Sequence, residues 1–333
     1  MKILIVRVSS LGDVVHNMPM LSDIRRHFPD ARIDWVVEEA YASLVALNRD
    51  VGTIIPFALR RWRKTLQQAA TRAERRTFYR TLRAERYDLV LDTQGLFKTG
   101  LVMRMARLAP AGQRVGLANA TEGSGYEAAS RIFHTRSVPV AMRTHAVQRA
   151  REVAAAVLGY SAGTPADFNL RAPETQAPWL PQHPYAVFFH GTARAAKGWD
   201  EQSWGRIGRQ LQQHHLPVLL PWGNDSERAA AQRLAGQMPN AQVLPRLSMM
   251  EAVLLAQRAA LAIGVDTGLT HIAAAYERPT IELYCDSPRW KTEGNWSDCI
   301  INLGDEGRPP GAEQVEQAIE QLLARAGRPA GTA

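Results

Sequence analysis

The stretch RVSSLGD at positions 7–13 places a carboxylate, Asp13, directly after an apolar run and at the start of a helical pattern. Ser10 and Asp13 have the spacing of a capping box, in which a serine and an acid satisfy free N–H groups of the first helical turn. The helix dipole also favours an acid at this position. A carboxylate that follows a buried strand can instead serve as a general base. The residue types alone leave both interpretations open.

A second loop that could carry chemistry is HGTARAAKGW at positions 190–199, which also follows an apolar run. Its hydroxyl, Thr192, and its ammonium, Lys197, could hold a phosphate at the start of a helix. The loop lacks the spacing of a Walker A motif, so it does not predict an ATPase. A solvated loop is an equally good interpretation of this pattern.

A third loop, VDTGLTH at positions 265–271, follows another apolar run. Thr267 and Gly268 begin a helix whose free N–H groups could bind a phosphate, with Asp266 within reach of a polar ligand. His271 could contact the same ligand or could be a satisfied histidine inside the helix. The Asp-Thr-Gly triplet does not predict an aspartic protease, because it occurs once and the surrounding pattern is not all-β.

Two further loops are PWGNDSE at 221–227 and DTQGLFK at 92–98. Glu227 could bind ribose hydroxyls, or it could be an ordinary acid in the first turn of a helix. No G-x-G-x-x-G follows the first strand, so a dehydrogenase is not expected. No Asp-x-Asp pair occurs, so a diphosphate ligand would need Lys197 and helix N-termini rather than a metal to balance its charge.

The elements that must position these loops alternate between strand and helix. In the first half we expect strands at 2–8, 32–37, 52–56 and 88–92 and helices near 12–28, 39–48, 64–86, 95–108 and 143–158. In the second half we expect strands at 185–190, 217–221, 242–244, 261–265 and 280–284 and helices near 201–214, 225–236, 248–258, 268–276 and 312–327. This alternation predicts parallel sheets covered by helices. Ligands of such sheets bind beyond the carboxyl ends of the strands, where the polar loops lie.

The chain length suits two domains rather than one. A proline-rich segment at 161–184 is expected to link a first domain, 1–160, to a second, 185–311. A C-terminal helix at 312–328 is expected to pack back toward the first domain. The N-terminus has no secretory leader pattern, no apolar run is long enough to span a membrane, and the two cysteines suit a reducing compartment. These features predict a cytoplasmic location.

The positive charge is concentrated in one segment. Ten basic and two acidic residues lie between Arg60 and Arg86, so this segment alone matches the net charge of +8. Such a segment could meet an anionic substrate, an acidic membrane surface or nucleic acid, or it could be a solvated helix face. No recognised nucleic-acid motif accompanies it, so nucleic-acid binding is not expected.

The chain resembles the lipopolysaccharide heptosyltransferases, family 9 glycosyltransferases of Gram-negative bacteria, in six segments that occur in the same order. They are MKILIVRVSSLGDVVHNMPML, RRWRK, DTQGLFK, PWG, the LP before Arg246, and VDTGLTHIAAA. The RRWRK segment at 60–64 is similar to type I members. The resemblance implies an α/β fold of the GT-B type, with two Rossmann-like parallel-sheet domains facing each other across a cleft.

The resemblance also implies transfer of L-glycero-D-manno-heptose from ADP-heptose to the Kdo of Kdo2-lipid A, with inversion and without a metal or other cofactor. It makes Asp13 the catalytic base and Lys197 a second catalytic group that stabilises the leaving diphosphate. The implied donor contacts are Thr192, Lys197, Glu227, Leu247, Asp266, Thr267, Gly268, Leu269 and His271. The implied acceptor contacts are Ser10, Gly12, Arg60, Arg61, Arg63, Lys64 and Gln94.

The same resemblance implies a monomer that touches the anionic cytoplasmic face of the inner membrane. Ala193 and the turn Tyr284-Cys285-Asp286 depart from the family pattern, and 117–128 lacks an arginine expected near the acceptor. One rival interpretation is a heptosyltransferase of type II or one that acts on a later core sugar. Another is a two-lobed sugar-binding protein without catalysis.

Overall fold

The computed structural model describes residues 1–163, 165–192 and 194–326. The chain divides into a first unit, Met1–Arg171, and a second unit, Ala172–Ala333, so the division falls inside the proline-rich segment at 161–184. The two ends of that segment are tied to different units. Asn48 Nδ2 in the first unit donates to the Phe168 carbonyl at 2.9 Å, and Trp179 Nε1 donates to Glu251 of the second unit at 3.0 Å.

The described part of the first unit contains a six-stranded parallel sheet in the order β3-β2-β1-β4-β5-β6. Its strands are β1 (Lys2–Val6), β2 (Arg32–Glu38), β3 (Val51–Phe57), β4 (Arg86–Asp92), β5 (Arg107–Leu117) and β6 (Arg136–Val138). Residues 3–6 of β1 are fully buried, because apolar side chains project from both faces of this central strand. The sequence predicted β1 to β4 and missed β5 and β6. Pro110 and Gly112 interrupt β5, and its register with β4 shifts beyond Tyr87, so its sequence does not read as a regular strand.

The helices of the first unit cover both faces of this sheet. They are α1 (Leu11–His16), α2 (Pro19–His27), α3 (Ala42–Val45), α4 (Leu59–Lys64), α5 (Ala69–Leu82), α6 (Phe97–Met105) and α7 (Ala146–Leu158). The single helix predicted at 12–28 is wrong, because α1 ends at His16 and Pro19 begins α2. Proline suits the first turn, where its missing N–H has no intrahelical partner. The helix predicted at 64–86 is also wrong in its bounds, since α4 ends at Lys64 and α5 begins at Ala69.

The second unit repeats the arrangement, with the strand order β12-β11-β10-β7-β8-β9 over the described residues. Its strands are β7 (Ala186–Phe189), β8 (Val218–Leu220), β9 (Ala241–Val243), β10 (Leu261–Val265), β11 (Thr280–Tyr284) and β12 (Ile300–Gly304). Its helices are α8 (Glu201–Gln213), α9 (Asp225–Ala235), α10 (Met249–Arg258), α11 (Gly268–Ala275) and α12 (Ala312–Ala326). The sequence missed only β12 among these strands, a short edge strand that pairs with β11 alone.

Helix α12 packs within the second unit, where Val315 and Ile319 are fully buried beside Trp204 of α8. The end of the helix predicted at 312–328 lies outside the described residues, and its return toward the first domain stays a prediction. In the same unit, burial together with Asp200 and Asp286 raises the pKa of the Cys285 thiol to about 11. No described helix has the length and apolarity needed to cross a membrane.

Each sheet changes winding direction beside its first strand. In the first sheet β1 lies between β2 and β4, and in the second sheet β7 lies between β8 and β10. Loops diverge at such a point, and open α/β sheets bind ligands there. The loops after β1 and β4 meet at the first of these points, and the loops after β7 and β10 meet at the second. The predicted site residues of each unit therefore gather at its carboxyl edge.

Candidate active site

Asp13 lies in the first turn of α1, at the carboxyl edge of the first sheet. Its Oδ2 accepts hydrogen bonds from the Ser10 backbone N–H at 3.0 Å and from the Ser10 hydroxyl at 2.8 Å. Its Oδ1 pairs with Arg7 Nη2 at 2.6 Å, and Arg149 Nη2 lies 3.9 Å away. The side chain still keeps 36% of its surface exposed. Asp13 therefore supports the start of α1 and also presents a carboxylate to solvent, so the two interpretations of this residue are compatible.

The surroundings of Asp13 keep it ionised. Burial alone would raise its pKa, but Arg7, the Ser10 hydrogen bonds and Arg149 outweigh burial and hold the pKa well below its usual value. Both arginines are buried, and Arg149 Nη1 donates to Thr121 Oγ1 at 3.0 Å. Sequence reasoning missed both arginines. Arg7 stands inside the motif without any distinguishing pattern, and Arg149 comes from α7, far along the chain.

Gln94 supports the loop that carries the serines. Its Oε1 accepts the Val8 backbone N–H at 2.9 Å, and its Nε2 donates to Ser9 Oγ at 3.3 Å. The buried Asp92 in turn accepts the Gln94 backbone N–H at 2.9 Å. The side-chain amide predicted as an acceptor contact is thus engaged in holding the loop after β1. In that loop Ser10 is exposed and Gly12 is half-buried.

Asp266 follows β10 and has hydrogen bonds at all of its acceptor positions. Its Oδ1 accepts from His271 Nε2 at 3.1 Å and from Thr292 Oγ1 at 3.2 Å. Its Oδ2 accepts from Lys197 Nζ and from Ser287 Oγ, the latter at 2.7 Å. Burial would raise the pKa of Asp266, but His271 and Lys197 lower it well below the usual value. The predicted donor contacts Lys197, Asp266 and His271 are therefore one cluster in the structure.

A buried glutamate completes this cluster. Glu282 Oε1 lies 2.9 Å from His271 Nδ1, and its Oε2 accepts from the Tyr284 hydroxyl and the Gly294 N–H, each at 2.9 Å. Burial lowers the pKa of His271, but Glu282 and Asp266 outweigh it and raise the pKa to about 10. His271 is therefore an imidazolium that donates to a carboxylate at each ring nitrogen. One feature of the sequence could have indicated Glu282, namely a carboxylate in the middle of an otherwise apolar strand.

Glu227 lies in the first turn of α9. It accepts the Gly223 backbone N–H at 2.7 Å and the Asn224 Nδ2 at 2.8 Å, as expected for an acid that stabilises a helix start. The loop after β7 passes close to this carboxylate, since a Cβ added to Gly191 would lie 2.9 Å from Glu227 Cδ. Thr192, the next residue of that loop, is half-buried. The loops after β7 and β8 thus bring two predicted donor contacts into one area.

The remaining predicted donor contacts lie at helix starts. Thr267 is the N-cap of α11, and its side chain makes no capping hydrogen bond. Gly268 and Leu269 follow in the first turn, where backbone N–H groups have no intrahelical acceptor. Leu247 is half-buried and precedes α10. Ala193, where the family pattern differs, lies outside the described residues.

The basic cluster of α4, consisting of Arg60, Arg61, Arg63 and Lys64, is exposed throughout. Arg61 pairs with Glu39 and Glu74, each at 2.8 Å. Trp62, which separates the two halves of the cluster, is buried and donates its Nε1 to Glu74 at 2.8 Å. Arg61 therefore helps to hold α4 against α5, and the pattern of charges alone did not separate it from its neighbours.

These sites differ in the chemistry that they can perform. The first unit offers an ionised, partly exposed carboxylate that can take a proton. The second unit offers an ammonium and a helix N-terminus, which stabilise negative charge that develops on a leaving group.

Comparison with known proteins identifies relatives over most of the chain. Lipopolysaccharide heptosyltransferase 1 of Pseudomonas aeruginosa is 41% identical over 290 residues, which are 85% of this chain and 78% of that protein. The protein of the same name from Escherichia coli strain K12 is 38% identical over 296 residues, or 85% of this chain and 88% of that protein. These relatives have the type I name that the resemblance indicated.

Solved structures of heptosyltransferases also match most of the chain. The structure described as E. coli heptosyltransferase WaaC with ADP matches with a TM-score of 0.82 and 33% identity, covering 97% of this chain and 100% of that chain. WaaC with ADP-2-deoxy-2-fluoro heptose matches with a TM-score of 0.79 and 35% identity, covering 96% and 99%. The predicted GT-B fold class is confirmed by these matches. A family model for glycosyltransferase family 9 (heptosyltransferase) also matches residues 75–324. The chain therefore belongs to glycosyltransferase family 9, the heptosyltransferases.

Proposed function

We propose that the chain transfers L-glycero-D-manno-heptose from ADP-heptose to the Kdo of Kdo2-lipid A in the inner core of lipopolysaccharide, with inversion at the anomeric carbon. The observation that carries this proposal is the ionised, partly exposed carboxylate of Asp13 at the winding change of the first sheet. The type I names of the relatives support the acceptor, and the ligands named for the two WaaC structures support the donor.

In the proposed reaction Asp13 is the base. It takes the proton of the attacking acceptor hydroxyl, whose oxygen forms a bond to the anomeric carbon of the heptose. The bond from that carbon to the diphosphate oxygen breaks, and its electron pair leaves with ADP. Two hydrogen bonds from Ser10 and the ion pair with Arg7 fix the carboxylate in one orientation. Fixed orientation supports proton transfer, which requires heavy-atom distances of about 2.6–3.2 Å.

The second unit would bind the donor. Lys197 and the N-terminus of α11, with Thr267, Gly268 and Leu269, would balance the diphosphate and the charge that it gains on departure. Thr192 would contribute a hydroxyl to the same group. Asp266 and His271 would face the heptose. Glu227 would take the ribose, and Leu247 would line the adenine pocket.

The first unit would bind the acceptor. Arginines suit its phosphates and carboxylates through their fork geometry. Within the α4 cluster, Arg60, Arg63 and Lys64 would supply these contacts, whereas the ion pairs of Arg61 give it a supporting part. Ser10 and Gly12 would contact the acceptor beside Asp13, and Gln94 would act by holding their loop. Because the acceptor is a lipid, the enzyme would work at the cytoplasmic face of the inner membrane.

A mass measurement tests the proposal. The protein is incubated with ADP-heptose and heptose-free Kdo2-lipid A, and the lipid products are weighed. The proposal expects the mass of one heptose to be added by the native chain and not by Asp13→Asn. Absence of any addition by the native chain would reject the substrate assignment. Addition only to an acceptor that already carries heptose would move the chain to a later step of core assembly.

A further inference from the structure

Helix α5 buries one side and exposes a basic one. Thr71, Phe78 and Leu82 face the core, where Phe78 packs edge-on against Trp62 with ring centroids 5.6 Å apart. The opposite side carries side chains spaced about three or four residues apart, which places them on one strip of the helix surface. This exposed strip consists of Arg72, Arg75, Arg76, Tyr79 and Arg80. We call it, together with the preceding Leu66, the α5 face.

The arginines of the α5 face are not neutralised by acidic neighbours. Within the described residues, none of the four forms an ion pair, and Arg72 donates only to a backbone carbonyl, that of Gln67, at 2.7 Å. The single acid of this helix, Glu74, is already paired with Arg61. The face therefore presents a net positive field over the length of the helix. Because the other side of α5 is buried, the helix cannot rotate and the arginines keep pointing to solvent.

Two apolar or amphipathic side chains lie among these charges. Leu66 is 51% exposed and Tyr79 is 46% exposed. Arg83 stacks over the Tyr79 ring at 5.0 Å and orients it. Tyrosine and leucine gain free energy at the boundary between lipid headgroups and acyl chains, where arginines meet phosphates. This combination of basic, aromatic and aliphatic side chains matches the headgroup region of a bilayer.

We propose that the α5 face is the surface on which the protein rests on an anionic phospholipid bilayer. The expected effect of docking on catalysis rests on the proposed function, because docking matters for turnover only if the acceptor is a lipid in the membrane. The α4 cluster directly precedes the face, and α4 and α5 are joined by Arg61 and Trp62, which both contact Glu74. Docking through α5 would thus bring the α4 cluster to the headgroup layer. The exposed Leu66 and Tyr79 favour a bilayer over nucleic acid, whose phosphate backbone offers them no apolar layer.

Vesicle binding tests the docking itself. Purified protein is titrated with phosphatidylcholine vesicles with and without phosphatidylglycerol, at two salt concentrations. The test variant replaces four arginines with glutamine, namely Arg72, Arg75, Arg76 and Arg80. The matched control removes four exposed arginines elsewhere, namely Arg104, Arg131, Arg136 and Arg209. Each basic residue near an anionic surface strengthens binding by about fivefold, and four that act independently by about 600-fold, so the test variant should lose well over tenfold of its affinity and the control should lose much less.

A second variant tests the apolar part of the proposal. Leu66→Ser with Tyr79→Ser should weaken the binding that persists at high salt, where charge contacts are screened within about 8–10 Å or less. Thermal melting of each variant shows whether it is folded. Equal vesicle affinity of the native chain and the folded fourfold variant would overturn the proposal. So would native binding to RNA that the fourfold variant loses while vesicle binding is unchanged.

Kinetics separate docking from acceptor recognition. The fourfold α5 variant should show a raised apparent KM for acceptor embedded in vesicles and an unchanged KM for a deacylated, soluble acceptor. Arg60→Gln with Arg63→Gln should raise both values. An equal rise for both acceptor forms in the α5 variant would place α5 in the acceptor site and reject docking. Vesicle binding without any heptose transfer would leave docking in place and reject the proposed function instead.

Discussion

Asp13 and Asp266 both lie beside the winding change of their sheets, Asp13 after β1 and Asp266 after β10, yet their surroundings differ. Each follows a central strand and lies where the winding of its sheet changes. Asp13 accepts two hydrogen bonds from Ser10 and pairs with Arg7, and Arg149 lies 3.9 Å from the same oxygen as Arg7. Asp266 has four close partners, and its side chain is 9% exposed. An ionised carboxylate has about four acceptor positions, so Asp13 retains more capacity than Asp266.

The comparison shows how one residue type obtains two functions. A carboxylate with an exposed edge can receive a proton from a substrate hydroxyl. A carboxylate enclosed by an ammonium and an imidazolium has no such capacity and instead fixes the position of those cations. The two carboxylates therefore differ in function because their contacting side chains differ, such as Arg7 for Asp13 and His271 for Asp266. The carboxylates themselves and the strands before them are alike.

The largest expected effect is on the rate after removal of the Asp13 charge. Asp13→Asn keeps the shape of the side chain but removes the base, which should lower kcat by about 100- to 10,000-fold. ADP binding should hardly change, because the proposed donor contacts belong to the second unit. Steady-state kinetics and ADP titration measure the two quantities. A variant that melts early but turns over normally would reduce Asp13 to a helix cap.

The next largest effect concerns Lys197, whose ammonium is the proposed partner of the diphosphate. Lys197→Ala should lower kcat by about 100-fold and weaken donor binding, since one preorganised charge is lost from the leaving group. Ser287→Ala is the matched control, because it removes another partner from the same oxygen of Asp266 without removing charge. Equal losses in the two variants would mean that Lys197 acts only by holding Asp266.

A smaller effect, on stability, is expected from Glu282→Gln, which replaces the carboxylate beside His271 Nδ1 with a neutral amide. The pKa of His271 should fall from about 10, because Glu282 is the main group that raises it. A raised pKa stabilises the fold fully below the unfolded value of 6.5, and this contribution is lost as pH rises toward about 10. The variant should lose roughly 1–3 kcal/mol of unfolding free energy at pH 7 and less at pH 10.

Urea unfolding at several pH values and NMR of labelled histidine measure these changes. Tyr284→Phe is the control, since it removes one donor to Glu282 and leaves the charge in place. A His271 that titrates alike in the native chain and in Glu282→Gln would contradict the described pairing.

The smallest expected effect is that of a chelator. Because the proposed charge balance of the diphosphate comes from Lys197 and the start of α11, excess EDTA should leave the rate unchanged. Activity lost with EDTA and restored by magnesium would require a different description of the donor site, in which the neutralising charge comes from a cation.

The fold followed from the sequence where local pattern and packing agree. β1 and β10 are continuous apolar runs with polar loops behind them, and both were predicted. β5 was not, because Pro110 and Gly112 interrupt it and its place depends on neighbouring strands. Asp13 and Asp266 were recognised from motifs. The contacts of Arg149 and Glu282 could not be, because they join distant segments and arise only when the sheets form.

The basic segment from Arg60 to Arg86 is a second case in which the sequence could not predict side-chain contacts. Composition predicted a cluster from Arg60 to Arg86 but could not tell which charges are already neutralised. In the structure Arg61 forms ion pairs with Glu39 and Glu74, whereas Arg75 and Arg76 are exposed without an ion pair among the described residues. Which arginines form ion pairs depends on how the helices are oriented, and a count of charges gives no information on that orientation.

The two cysteines have a practical consequence for labelling. The thiolate is the reactive form, and the pKa of about 11 leaves the buried Cys285 almost entirely protonated at neutral pH. Cys299 is partly accessible and directly precedes the edge strand β12. A maleimide fluorophore should therefore attach at one position of the native sequence. Because Thr280, the first residue of β11, donates to the Cys299 carbonyl, that dye would lie at the amino edge of the second sheet, opposite the edge where the proposed donor loops lie.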